Sequence, residues 1–139
     1  MRQRFRTITV ETKGPGLVEF TGHAAVFAGA SAIENGLLTC FARHTSASLL
    51  IQENADPDVL RDLETFMLRL VSRDPKSYRH TTEGPDDMPS HIRAALTQTS
   101  LSIPVENGKL ALGTWQGLYL WEHRDAPHSR EVLLHLIGE

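Results

Sequence analysis

Cysteine is almost absent from this 139-residue chain: Cys40 stands alone. One thiol can form neither an internal disulfide nor a zinc knuckle, so a reducing, cytoplasmic setting is expected. Lysine is scarce too, three residues against eleven arginines and seven histidines. No sign of charge dominates, because 14 basic residues against 17 acidic ones leave a formal net charge of −3. Without a basic field to displace counterions from a polyanion, nucleic acid is an unlikely class of main partner. Long apolar runs are missing as well: no window approaches the roughly 18 residues of a membrane span. Residues Met1 to Arg6 lead into no apolar signal core, so neither a membrane nor secretion is expected.

What is present suits one folded unit. Apolar residues make up 40% of the chain and charged residues 22%, enough to bury a core and too little charge for a disordered tail. The length fits a single domain over residues 1–139. The excess of Arg and His over Lys favours binding of phosphate, carboxylate or metal. A GC-rich genome would produce the same bias without any function.

Along the chain, Arg4–Val10 reads as an opening strand closed by Gly14-Pro15-Gly16, and Leu17–Phe20 as a brief second one. Thr21 can cap a helix carrying Ala24, Val26, Phe27, Ala30 and Ile33, stopped by Asn35-Gly36. Leu37–Ala42 and Ala47–Ile51 are strand-like, with Arg43-His44-Thr45-Ser46 between them. Asp56-Pro57-Asp58 opens a helix whose stripe is Val59, Leu60, Leu63, Phe66, Met67 and Leu70. Lys76–Pro89 shows no periodicity, and Asp87-Met88-Pro89 opens a shorter helix with Ile92, Ala95 and Leu96 facing inward. Ser100–Val105 and Lys109–Leu112 flank Asn107-Gly108, a favoured hairpin dipeptide. Gly117–His123 and Glu131–Ile137 supply two more strands, so the second half reads as an antiparallel meander. Hairpins in series with segregated helices indicate an α+β class, a compact single domain with an antiparallel β-sheet or sandwich and two to three helices.

Three segments carry polar chemistry. In Arg43-His44-Thr45-Ser46, a guanidinium, an imidazole and two hydroxyls at a strand end can bind or protonate a small anion, or simply form a polar turn. Between His80 and His91, Glu83, Asp86 and Asp87 add three carboxylates, a plausible donor set for a divalent metal; the spacing matches no tight zinc signature, so Mg, Mn or Zn all fit. The same stretch also reads as a solvated acidic loop with Asp87 capping a helix. In Gly113-Thr114-Trp115-Gln116-Gly117 the indole can wall a pocket or fill a glycine-flanked bulge. Glu122 and Arg124, two apart, share one strand face, with Trp121 and His123 on the other. Cys40 reads as a small buried hydrophobe, and His23, His128 and His135 as structural or surface groups.

Taken in order, His44–Leu49, Glu53-Asn54-Ala55-Asp56-Pro57, Tyr78-Arg79-His80, Glu83–His91 and Leu112–Gly117 with Glu122-His123-Arg124 resemble the motifs of the YjbQ family, labelled secondary thiamine-phosphate synthase. The match runs through nearly the whole chain. The resemblance implies a YjbQ-like α+β fold, a homotrimer with a polar pocket near a subunit boundary, and a weak synthase activity. That activity joins a pyrimidine diphosphate to a thiazole phosphate and releases pyrophosphate. On this reading His44, Ser46 and Glu122 are the catalytic candidates. Arg43, Thr45, Asn54, Arg79, Trp115, Gln116 and Arg124 would hold the phosphorylated substrate, and His80, Glu83, Asp86, Asp87 and His91 a divalent metal. Hydrolysis of a small phosphorylated or carbonyl metabolite, with a metal-bound water activated by His44 or Glu122, fits the same residues. So does a trimeric metal- or metabolite-binding protein without dedicated catalysis.

Overall fold

A computed structural model describes residues 1–139. Eight strands and three α-helices follow one another as β1 (Arg2–Glu11), β2 (Gly16–Glu19), α1 (Thr21–Ala30), β3 (Gly36–Ala42), β4 (Ala47–Glu53), α2 (Pro57–Leu70), α3 (Asp87–Leu96), β5 (Ser100–Glu106), β6 (Lys109–Leu110), β7 (Gln116–Glu122) and β8 (Ser129–Gly138), with a 3₁₀ turn at Pro75–Ser77. All named strand pairs are antiparallel. They form a five-stranded sheet in the order β1-β8-β3-β5-β6 and a three-stranded sheet in the order β2-β7-β4. The class is α+β, as the strand and helix segregation suggested.

Strict alternation on β8 buries Arg130, Val132, Leu134 and Leu136 on one face. These apolar residues join Leu38 and Cys40 of β3, Leu101 and Ile103 of β5, Leu49 of β4, and Leu118 and Leu120 of β7 in one core of 20 buried residues. The two sheets therefore enclose the core between them. Burial pushes the Cys40 thiol up to about 12, which leaves it inert, as a small hydrophobe should be. The other face of β7 is covered by helices: Trp121 Nε1 donates to Glu64 of α2 at 2.5 Å, and the His123 carbonyl accepts from Ser90 and Arg93 of α3. No helix is long and apolar enough to cross a membrane.

Local chemistry explains the element ends. The Asp56 carboxylate accepts from the Asp58 amide at 2.9 Å ahead of Pro57, so α2 starts where its capping signals stand. Asn107 and Gly108 both take positive φ, 52° and 72°, the backbone a two-residue hairpin turn of type I′ demands.

Several expectations need correction. The second half is no meander: β7 and β8 lie in different sheets, and only β5 and β6 form a hairpin. Likewise β3 and β4 belong to opposite sheets, so Arg43–Ser46 crosses one end of the sandwich. Helix α1 ends at Ala30, leaving Ile33 buried beyond it and Val26 exposed; Thr21 is its first residue and not its cap. In α3 the buried residues are Asp87, Pro89, Ser90 and Arg93, while Ala95 and Leu96 face out. Of the α2 stripe only Met67 is fully buried, and Phe66 and Leu70 are more than half exposed.

This burial pattern predicts unequal responses to truncation. Leu120→Ala, at a fully buried site, should cost roughly 2–5 kcal/mol. Leu63→Ala, on the half-buried stripe, should cost clearly less. Urea denaturation of both variants at one protein concentration checks the order.

Candidate functional site

Two groups of polar residues meet at the end of the sandwich crossed by Arg43–Ser46. The inner one is centred on Arg130, which the alternation of β8 turns inward. Its guanidinium pairs with Glu122 of β7 through Nε at 2.9 Å and through Nη2, and Nη2 also reaches Ser46 Oγ at 3.1 Å. Glu122 is fully buried and accepts as well from Thr12 Oγ1 at 2.7 Å. Burial pushes the Glu122 carboxyl up, but hydrogen bonds from Arg130, Thr12 and the Arg124 amide outweigh it and hold the group below its ordinary value. His44 Nε2 accepts the Glu131 amide proton at 2.7 Å, so its lone pair is engaged. Burial, and then the neighbouring Arg130 charge, lower the His44 pKa. His44, Ser46 and Glu122 are thus gathered as expected, but around Arg130, and Glu122 does not reach solvent. Arg130 is not among the residues singled out from the sequence. Counting back in twos from Val132 would have placed it on the inward face.

The outer group is carried by α3 and the loop before it. His80 Nε2 and His91 Nε2 lie 2.6 and 3.0 Å from the same oxygen, Asp87 Oδ2, and Glu83 Oε2 is 3.7 Å from His80 Nε2. Donor atoms of these four residues all fall within 4.8 Å of one another. His91 Nδ1 donates to the Thr45 carbonyl at 2.8 Å, which holds the ring with Nε2 aimed at Asp87. Gly84 takes φ 102° in the turn ahead of α3, and His80, before that turn, meets Asp87 at the start of the helix. Asp87 is nearly inaccessible, and its pKa is lowered because contacts from His80, Glu83, His91 and Arg124 outweigh burial.

Arg124 and Asp86 act behind this cluster. Arg124 Nη1 holds Asp87 Oδ1 at 2.9 Å, its Nε holds Asp86 Oδ2 at 2.9 Å, and Nη2 donates to the Glu83 carbonyl. The Arg124 hydrogen bond keeps the Asp86 carboxyl at about 2. Asp86 is therefore turned toward Arg124 and away from the four donors, and Arg124 fastens the start of α3 where a substrate clamp was expected.

An open groove of about 780 Å³ runs beside the cluster, lined by Arg43, His44, Thr45, Ser46, His91 and Arg130 among others. Arg43 is half exposed and only loosely paired with Glu131, at 3.8 Å. Arg79 is exposed and makes no hydrogen bond or ion pair. Asn54, Trp115 and Gln116 are not part of this groove. They sit at the other end of the three-stranded sheet, because Glu53 pairs with Gln116 and Ala47 with Glu122; six residues of strand separate the ends by roughly 20 Å. There Asn54 donates to the Trp115 carbonyl and to Glu19, and Trp115 is 62% exposed.

Beneath α3, His123 is fully buried with Nε2 2.8 Å from Ser48 Oγ. Burial and the Arg93 charge lower its pKa to about 3 from an ordinary 6.5. The folded ring stays neutral while the unfolded ring protonates, so His123 contributes stability fully above about pH 6.5 and loses it as pH falls toward 3. Between pH 6.5 and 5 most carboxylates remain ionised, so His123→Gln should flatten the fall in unfolding free energy over that interval. Denaturation midpoints at half-unit pH steps check it.

Comparison with known proteins agrees with the motif order. The model of the family described as UPF0047 protein YjbQ-like matches residues 6–139. The UPF0047 protein sll1880 of Synechocystis is 55% identical over 138 residues, spanning 99% of this chain and 94% of that protein. The UPF0047 protein YjbQ of Salmonella typhimurium is 44% identical over 135 residues, covering 96% and 97%. A crystal structure of a YjbQ/UPF0047 family protein from Clostridium acetobutylicum superposes with a TM-score of 0.87 at 34% identity, covering 95% of this chain and 99% of that one. The chain belongs to the YjbQ/UPF0047 family.

Proposed function

We propose that the chain is a metal-assisted enzyme acting on a small phosphorylated substrate, with His80, Glu83, Asp87 and His91 as the metal ligands. One observation carries this reading: two imidazole nitrogens converge on a single buried carboxylate oxygen, and one of the rings is held in orientation by the Thr45 carbonyl. Ligands about 2.1 Å from a common ion stand about 3.0–3.4 Å apart, which the observed 2.6–3.7 Å spacings bracket. Two nitrogens and two carboxylates suit Zn, Mn or Mg. Asp86, with its charge given to Arg124, is left out of the set.

A bound divalent ion would supply Lewis-acid stabilisation of charge on a phosphate oxygen. The chain's own residues do the rest. Arg43 offers an exposed guanidinium for a second phosphate oxygen, Thr45 and Ser46 line the groove, and Arg124 keeps Asp87 from rotating. The residues expected to activate a water are committed elsewhere: His44 by the Glu131 amide, Glu122 by Arg130 and burial. That supports departure of a diphosphate from a substrate able to carry positive charge, which needs anion clamps and no strong base, over hydrolysis. The synthase reaction implied by the family motifs is of this type. We also infer a homotrimer, supported by Phe5, Phe66, Leu70 and Trp115, each more than half exposed, and light scattering showing a stable monomer at micromolar concentration would refute it.

The metal reading is checked by titration and turnover. Wild-type protein should bind about one Zn²⁺ or Mn²⁺ per chain and melt at higher temperature with it. His80→Ala and His91→Ala should lose that binding while apo stability changes by about 1 kcal/mol or less. Pyrophosphate release from a pyrimidine diphosphate and a thiazole phosphate should stop with a chelator and return with the metal. Stoichiometric metal binding surviving in both variants would show that the cluster is structural.

A further inference from the structure

We propose that the free edge of β1 is a docking site for an extended acidic segment of another protein, which joins the five-stranded sheet as a sixth strand. None of the residues involved belongs to the donor cluster or to the Arg43 groove, so the site stands whether or not the cluster holds a metal.

Four strands end a sheet. Two of them are short, β6 with two residues and β2 with four, and β4 is blocked part-way, where the Leu49 amide donates to the Gln98 carbonyl at 2.6 Å. The fourth, β1, runs for ten residues in unbroken register with β8 and has no strand on its other side. An exposed edge of that length is a template for another strand unless lysine, proline or a bulge deters it. β1 has none of the three. The Thr12 amide bonds the His128 carbonyl at 2.8 Å, and alternate residues of an antiparallel strand face its partner, so the even-numbered residues turn their backbone groups to β8. Those of Gln3, Phe5, Thr7 and Thr9 therefore face the open edge. Within the chain, Arg4 Nη1 takes up the Gln3 carbonyl at 2.9 Å.

Charge selects the occupant. Arg2, Arg4 and Arg6 share one face of β1, and no acidic residue stands on the strand before Glu11. Arg2 and Arg4 donate to backbone carbonyls and Arg6 lies over the Phe27 ring at 5.8 Å, so none of the three meets a carboxylate. Beside them is an open cavity of about 370 Å³ lined by Arg6, Ile8, Gly22, His23 and Val26. Gly22 and His23 belong to the first turn of α1, which has no acid and no side-chain cap, so the positive end of the helix adjoins the same space. On a chain of net charge −3 this is a local excess of positive charge. A second copy of β1 is a poor occupant: antiparallel pairing about Phe5 sets Arg4 of each strand against Arg6 of the other, and like charges directly opposite repel. Glutamates at alternate positions of an incoming strand reverse the sign of those contacts. One placed opposite Arg6 can lay its methylenes on Ile8 and Val26 and its carboxylate against the guanidinium. Main-chain bonds to the edge then supply affinity, and the alternate side chains supply specificity.

Fluorescence anisotropy of the full chain tests this with a labelled peptide of about ten residues that alternates glutamate with threonine, beside a matched peptide with glutamine in place of glutamate. The acidic peptide should bind about tenfold more tightly at low salt and lose most of that advantage at high salt. Replacing both arginines, Arg4→Gln with Arg6→Gln, should bring the two peptides within about threefold of each other. Thr7→Pro removes an edge amide where proline is tolerated, and should weaken both peptides about tenfold. Residue-resolved amide exchange on the unmodified chain needs no variant to fold: the acidic peptide should slow exchange at Phe5, Thr7 and Thr9. Equal affinity for the two peptides, or no slowing at those amides, overturns the docking site. Slow exchange there in the free chain at micromolar concentration would show a second copy already on the edge, and overturns it as well.

Discussion

The pairing of Glu122 with Arg130 joins the two sheets at the end where the site lies. Neither side chain has appreciable access to water, so each charge is tolerable only because the other is there. Breaking such a pair by removing one partner strands a buried charge, at about 3–5 kcal/mol. Around the pair, Thr12 ties in the end of β1, Ser46 ties in the loop between β3 and β4, and His44 of that loop accepts from the Glu131 amide next to Arg130. That loop then presents the Thr45 carbonyl to His91. The orientation of a candidate metal ligand on α3 thereby leans on an ion pair lying between two β-sheets.

Helix α3 is docked unusually. Its buried face is made of Asp87, Ser90 and Arg93, with few apolar side chains. Ser90 Oγ and Arg93 Nη2 both donate to the His123 carbonyl, and Arg124 holds the acidic first turn. Apolar burial is non-directional, whereas these bonds fix rotation as well as position. A helix that must aim His91 and Asp87 at one point gains from that directionality. Arg93 retains Nε and Nη1 without a hydrogen-bond partner, and burial accordingly lowers its pKa.

Elements specified by short-range chemistry could be read from the residues alone: the Asp56-Pro57 start of α2, the Asn107-Gly108 turn, and the His80–His91 donor cluster, whose members are close in sequence. Long-range facts could not. Alternation tells which face of a strand is buried but not which sheet the strand joins, so β3 and β4, and again β7 and β8, read as hairpins. Glu122 and Arg124 were placed on one face, yet Arg124 lies past the end of β7, where period-two alternation no longer applies. Asn54 follows the His44 motif closely in sequence, but the intervening strand is extended and carries it to the opposite end of the sheet. On α2 the period revealed an apolar stripe without revealing that little of this chain covers it.

The two cavities beside the donor cluster are built from different materials. One belongs to the corner of the sandwich, where every side chain answers to strand register and to a buried charge. The other, a cavity of about 300 Å³ beside His80 with Tyr78, Thr81 and Met88 among its walls, comes wholly from the short stretch Pro75–Pro89, none of which enters the twenty-residue core. Substitutions at Tyr78 or Met88 can reshape that cavity without touching a donor of the cluster or a residue of the core. The walls beside His80 can therefore change shape independently of the scaffold that places the donors.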